Sequence, residues 1–187
     1  MGLNRSNRKE SAVRISLVDV MYGVVLAYGF NFFDAAETTP DYIRFFLAYI
    51  VIIVDWTYVH WIYWDWGYKR NLFFVLDLSL LFVMSRLLYT STTQSQYYSL
   101  WLSGIFFLYA VWDAASYHYR VPSDYSWRHA VAGDICGFAA FGFLGTLSLV
   151  HNWSDTVWFE IAVVVIYSGC VMSWFRKGGY KRTVVER

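Results

Sequence analysis

Apolar residues along this chain come in blocks of helix length separated by short polar stretches, with none of the alternating runs that mark half-buried strands. The blocks run from Ser16 to Phe33, Tyr42 to Trp64, Asn71 to Tyr89, Leu100 to Tyr117, His129 to Val150 and Val157 to Phe175. A helix rises about 1.5 Å per residue, so each block reaches across most of a hydrocarbon core of about 30 Å. The first carries no small-residue cleavage site, which makes it a spanning helix and not a removed signal peptide. The pattern predicts an all-α fold: an integral membrane bundle of six transmembrane helices over residues 16–175, flanked by basic tails at 1–15 and 176–187.

Composition agrees with the pattern. The chain has 187 residues, 58% hydrophobic and 16% charged, with a mean hydropathy of +0.36, and six spans leave no room for a soluble domain. The net charge of +1 says little about partners; its distribution says more. Basic residues precede the first block (Arg5, Arg8, Lys9, Arg14), separate the second from the third (Lys69, Arg70) and the fourth from the fifth (Arg120, Arg128), and follow the sixth (Arg176, Lys177, Lys181, Arg182, Arg187). Thirteen of fifteen therefore fall on one side of the bilayer. By the positive-inside rule both termini are cytoplasmic, while DAAETTPDY, TSTTQSQYYS and HNWSD face outward. The membrane expected is the plasma membrane of a prokaryote.

Little in the chain points to an enzyme. Cys136 and Cys170 lie inside spans at no zinc or redox spacing and read as small, buried, reduced residues. His60, His118, His129 and His151 form no ligand pair, and neither a Gly-rich phosphate loop nor a GxSxG motif is present. No cofactor and no metal is expected. Aromatics reach 22% of residues and crowd the stretch from Asp55 to Arg70, where an interfacial belt is the commoner explanation and a cage for a quaternary ammonium the sharper one.

The charges inside the spans carry more information. Asp19, Asp55, Asp77, Asp113 and Asp134, with His60, gather at similar depth in the half nearest the termini. Two readings fit them. Asp19, Asp77 and Asp134 lie in the first turns of their helices, where the macrodipole favours a carboxylate and Arg14, Arg70 and Arg128 can snorkel toward them. Asp55 and Asp113 lie in C-terminal halves, which that account leaves unexplained, and the alternative is a solvated acidic vestibule that draws cations or exchanges protons. In the other half Arg86 and Glu160 are expected to pair.

Small residues mark two helix faces. Gly133, Gly137, Ala140 and Gly145 permit close packing, either within the bundle or between subunits. On the first helix Asp19, Gly23, Ala27 and Phe30 form a stripe, acidic at one end, small in the middle and bulky at the other. It suits a cation pore or packing against the helix's own bundle.

The stretch from Leu47 to Tyr89 resembles the second and third helices of the transmembrane protein 175 family, the endolysosomal potassium channels and their prokaryotic relatives. Trp56 and His60 match the Trp and second His of that family's Trp-x-Asn-His-His run, with Tyr58 and Val59 replacing the Asn and first His. Leu76-Asp77-Leu78 with Leu80 and Leu81 follows its Leu-Asn-Leu pattern with Asp in place of Asn. Asp19 matches the Asp of the family's Arg-x-x-x-Phe-Ser-Asp signature, whereas Val13, Leu17 and Val18 stand where Arg, Phe and Ser belong. The resemblance implies a membrane cation channel, for potassium or protons, in which the first helix lines a pore on the axis of a homo-oligomer. Val24 would form its constriction, with Ala27 a turn beyond. The expected partners are the lipid bilayer, monovalent cations and further copies of the chain, with no nucleic acid. A proton-coupled small-solute transporter and a non-conducting membrane sensor or scaffold are the alternatives.

Overall fold

The computed structural model describes residues 5–66, 71–119, 127–151 and 153–177, with side chains described over 13–58, 71–119, 130–151 and 153–172. These residues form six long helices: α1 (Arg5–Gly29), α2 (Thr39–Trp66), α3 (Asn71–Thr93), α4 (Tyr98–His118), α5 (Trp127–His151) and α6 (Val157–Lys177). Short 3-10 turns at Phe30–Ala35, Ser95–Tyr97 and Trp153–Asp155 sit at the connections. Among the described residues four stretches are long and apolar enough to cross a membrane: Val13–Ala35, Asn71–Thr93, Ser95–His118 and Ala130–His151. In α2 the described residues include Asp41, Arg44 and Asp55, and in α6 the apolar stretch is the shorter Val157–Met172.

Neighbouring helices alternate in direction. Tyr22 of α1 meets Asp55 of α2, and Tyr49 of α2 donates to the Leu26 carbonyl of α1 at 2.7 Å, so α2 returns beside α1. Trp112 bonds Asp77 while Arg86 lies against Trp101, which sets α4 antiparallel to α3. Ser103 donates to the Phe138 carbonyl at 2.9 Å, so α5 runs back beside α4. The start of α1 and the end of α6 consequently lie at one end of the bundle, called here the terminal end; the α1–α2, α3–α4 and α5–α6 connections lie at the loop end.

Several boundaries differ from expectation for local reasons. The basic N-terminal tail is helical from Arg5 onward as the first turns of α1. The segment TSTTQSQYYS is mostly helix: α3 continues to Thr93 and α4 starts at Tyr98. Pro40, expected in a loop, occupies the first turn of α2, where a missing N–H is not needed. Thr38 caps that helix, and Asp41 reaches back to the Thr38 hydroxyl at 2.7 Å and its N–H at 2.9 Å, satisfying donors that the helix itself cannot.

The core runs between the helices. α1 buries Val18, Tyr22 and Val25 at helical spacing, α2 buries Leu47, Ala48, Val51 and Ile52, and α3 contributes Leu80, Leu81, Met84, Leu87 and Leu88. Large apolar side chains such as Val20, Phe82, Phe143 and Val165 point outward, as in a bundle solvated by lipid. Cys136 is exposed and Cys170 half-buried, so the expected burial of both cysteines is not met; neither forms a disulfide.

Small residues on α5 serve packing inside the bundle. A Cβ placed on Gly137 would overlap the Phe106 ring of α4, and one on Gly145 would overlap Leu100. Gly23 of α1, in contrast, has nothing within 4 Å of the same position. Gly137→Ala should therefore lower stability by about 1–3 kcal/mol through overpacking, while Gly23→Ala leaves it unchanged or raised through helix propensity. Thermal melts of the two purified variants test this, and equal behaviour would contradict the assignment of the two faces.

Candidate functional site

Polar side chains inside the bundle form two groups, one toward each end. The loop-end group centres on Arg44, one turn into α2 and fully buried. Its Nε donates to the Ser91 carbonyl at 2.9 Å and one terminal nitrogen to Glu160 Oε1 at 2.8 Å, with further bonds to the Ser154 carbonyl and to Asp41. The Tyr98 hydroxyl donates to the Arg44 carbonyl at 2.9 Å. One guanidinium thereby joins α2, the end of α3, the α5–α6 connection and α6. A guanidinium stays charged under all ordinary conditions, so its burial requires this many acceptors.

Arg44 corrects the expected pairing of Arg86 with Glu160. Glu160 takes Arg44, and Arg86 lies instead over the rings of Tyr89, at 4.9 Å, and Trp101, at 5.7 Å. Arg86 and Glu160 share a depth, but depth leaves the helix face open. A signal for Arg44 was present in the sequence: an Asp three residues earlier on the same helix face, just after a Thr-x-x-Asp cap.

Toward the terminal end, Asp55, Asp77, Asp113 and Asp134, one from each of four helices, are buried and at most 6% exposed. They are packed among helices, so the expected open vestibule is not formed by these groups. The Tyr22 hydroxyl donates to Asp55, which also bonds Tyr109. Trp112 Nε1 donates to Asp77 at 3.2 Å. Asp113 of α4 lies directly beside Asp134 of α5. The side chains of His60 and Arg128, and Arg70 as a whole, lie outside what the structure describes.

Asp19 differs from these four. It is half-buried at the surface of α1 and accepts a hydrogen bond from Trp56 Nε1 at 3.2 Å, which joins two positions of the channel-family resemblance. Gly23, Val24 and Ala27 face out of the bundle, Val24 being 61% exposed. The middle of the stripe on α1, Gly23 and Ala27, thus stays clear of its own bundle, while Asp19 and Phe30 at its ends meet Trp56 and Tyr49 of α2. Arg14, expected to snorkel toward Asp19, donates to Asn71 Oδ1 at 2.8 Å and lies over the Phe74 ring.

Between the two polar groups, α2 presents buried Leu47, Ala48, Val51 and Ile52. Arg44 and Asp55 are eleven residues apart on that face, a rise of about 16 Å. Two tyrosines inhabit this layer. Tyr167 of α6 is buried and close enough to Asp55, Tyr109 and Tyr98 to interact with each electrostatically, and Tyr98 does the same with Glu160. Neither tyrosine was singled out from the sequence, where they are two of 16.

No family model matches this chain, and no curated protein and no solved structure is similar to it.

Two outcomes follow from the loop-end group. Arg44→Met leaves Glu160 buried without its counter-charge and should cost about 3–5 kcal/mol; adding Glu160→Gln should recover part of that, and a double variant as unstable as the sum of the singles would show that the two are not coupled. Asp41 supplies the second, at the mouth of the group. Burial alone would raise its carboxyl, but bonds from the Thr38 hydroxyl and N–H, with the Arg44 guanidinium, outweigh burial and hold it below the ordinary value. A depressed carboxyl stabilises the fold above its unfolded pKa and loses that contribution as pH falls through the folded one. The melting advantage of the native chain over Asp41→Asn should thus be full at neutral pH, begin to fall below about pH 4 and disappear only once pH has dropped through the depressed folded value.

Proposed function

We propose that this is a multi-pass membrane protein whose six helices all cross the bilayer, with both termini cytoplasmic, and that it passes protons through the interior of the single bundle. The observation that carries this reading is the set of four buried carboxyls from four helices, with Asp113 beside Asp134. Two adjacent carboxyls in an apolar interior do not both hold charge, because desolvation and mutual repulsion add. A proton shared by such a pair is exchangeable, and intramembrane carboxyls of this kind are the usual parts of proton relays. Tyr22 and Tyr109 on Asp55 extend the set, and the hydroxyls of Tyr167 and Tyr98 offer steps across the apolar layer toward Glu160. Water in the gaps completes the path.

A second reading rests on α1. Exposed Gly23, Val24 and Ala27, with open space beside Gly23, favour a potassium pore lined by this helix in a homo-oligomer, with Asp19 at its mouth and Val24 as the apolar constriction. It is the arrangement that the channel-family resemblance implies.

Flux into liposomes, followed with an internal pH dye and separately with a potassium gradient, tests both readings. The relay requires that Asp134→Asn lower proton flux at least tenfold, the size of a modest barrier increase of about 1.4 kcal/mol, and that Val24→Ala leave it unchanged. Absence of proton flux from the native chain, or indifference to Asp134→Asn, removes the relay. The α1 pore requires potassium flux that Val24→Ala raises and that Asp19→Asn lowers, most clearly at salt well below 0.1 M, where the Debye length exceeds about 10 Å.

A further inference from the structure

The Arg86 guanidinium lies in the loop-end half of α3 and is not among the groups gathered around Arg44. It stands seven residues before the end of α3, about 10 Å below it. Among the described residues no carboxylate pairs with Arg86, and its guanidinium meets two ring faces, Tyr89 and Trp101. Ring faces hold a cation in place but leave its N–H donors unused. Arginine does not neutralise itself by losing a proton, so in lipid those donors need an anion.

A groove of about 510 Å³ runs along the outside of the α3–α4 seam, and its lining ends at Phe82, Val83 and Gly104, one turn short of Arg86 and Trp101. α3 lines it with Val75, Ser79 and Phe82, and α4 with Gly104, Phe107 and Leu108. Val75, Ser79, Phe82 and Arg86 follow one another at spacings of four, three and four, so the groove wall and the guanidinium share one face of α3. On α4, Leu108, Gly104 and Trp101 do the same. The Ser79 hydroxyl is turned back onto the Val75 carbonyl at 2.9 Å, which leaves the wall apolar. Gly104 deepens the groove, since a Cβ there would meet only Val83 Cγ1, at 3.6 Å.

We infer that this face is a binding site for one phospholipid of the loop-end leaflet, with an acyl chain in the α3–α4 groove and the phosphodiester on the Arg86 guanidinium between Tyr89 and Trp101. Charge complementarity selects the occupant. An apolar chain alone would fill the groove and leave Arg86 unsatisfied; a phosphate alone would satisfy Arg86 and leave the groove to bulk lipid. A planar guanidinium offers paired donors to two phosphate oxygens, and a side chain that snorkels toward the leaflet surface brings them to phosphate level.

The test uses the full-length protein in detergent, with phosphatidylglycerol as probe and native mass spectrometry to count retained lipid. The native chain should retain one molecule, and Arg86→Met should weaken retention roughly tenfold or more, as expected for loss of a charge-assisted contact. Gly104→Leu, which fills the groove and keeps the guanidinium, should weaken it as well, and stands as the test if Arg86→Met does not fold. Diacylglycerol, which has the chains without the phosphate, should be lost on activation. Equal retention by the native chain and both variants, equal retention of diacylglycerol, or no retained lipid overturns the site. Inorganic phosphate that raises the melting temperature as much as phosphatidylglycerol overturns it too, since the groove would then play no part. None of these outcomes depends on whether the protein conducts.

Discussion

Burial of the Arg44 guanidinium is the constraint around which the loop end of the bundle is arranged. Its charge is permanent and the group is fully buried, so acceptors must come to it from every side. They come from Asp41 on its own helix, the Ser91 carbonyl at the end of α3, the Ser154 carbonyl in the α5–α6 connection and Glu160 on α6. Three segments far apart in the chain are thereby positioned by one side chain. The carbonyls of Ser91 and Ser154 lie at helix ends, where backbone acceptors lack intrahelical partners, so the same bonds satisfy both the cation and the chain termini of the elements it touches.

At the terminal end the problem of buried charge is solved differently. Asp55, Asp77, Asp113 and Asp134 are carboxyls, which unlike a guanidinium exist equally well as neutral acids that donate a hydrogen bond. The groups found with them are of the kind that bonds a carboxyl in either state: the hydroxyls of Tyr22 and Tyr109 and the indole of Trp112. Such groups suit the proton relay proposed above, whereas the Arg44 group is a fixed joint. The apolar layer of Leu47, Ala48, Val51 and Ile52 separates the two on α2, and Tyr167 and Tyr98 are the polar side chains that approach from α6 and α4.

Which face a small residue occupies decides its use. Gly137 and Gly145 sit under Phe106 and Leu100, and they let α4 and α5 approach closely enough for Ser103 to reach the Phe138 carbonyl. Gly23 meets nothing in its own bundle. The same contrast holds for the arginines. Arg44 points into the bundle and is neutralised by protein; Arg86 points along the α3–α4 seam, where rings flank it and the rest of its shell belongs to the surroundings.

Six helices, their order and their approximate limits were legible in the sequence, because helix-length apolar blocks broken by polar turns have one economical solution in lipid, where each backbone group must be satisfied within its own segment. The same reading assigned each charge an expected depth. Depth is a one-dimensional quantity. It matched Arg86 with Glu160, two charges at similar height, and passed over Arg44, because rotation about each helix axis and the neighbour on each side are set by packing across the bundle. For the same reason the sequence left the glycine faces of α1 and α5 interchangeable, and gave no sign that Asp113 would lie beside Asp134 or that Tyr167 would stand between the two polar groups. Those relations join residues tens of positions apart through side-chain fit alone, with no repeated spacing to announce them, so only the tertiary structure decided them.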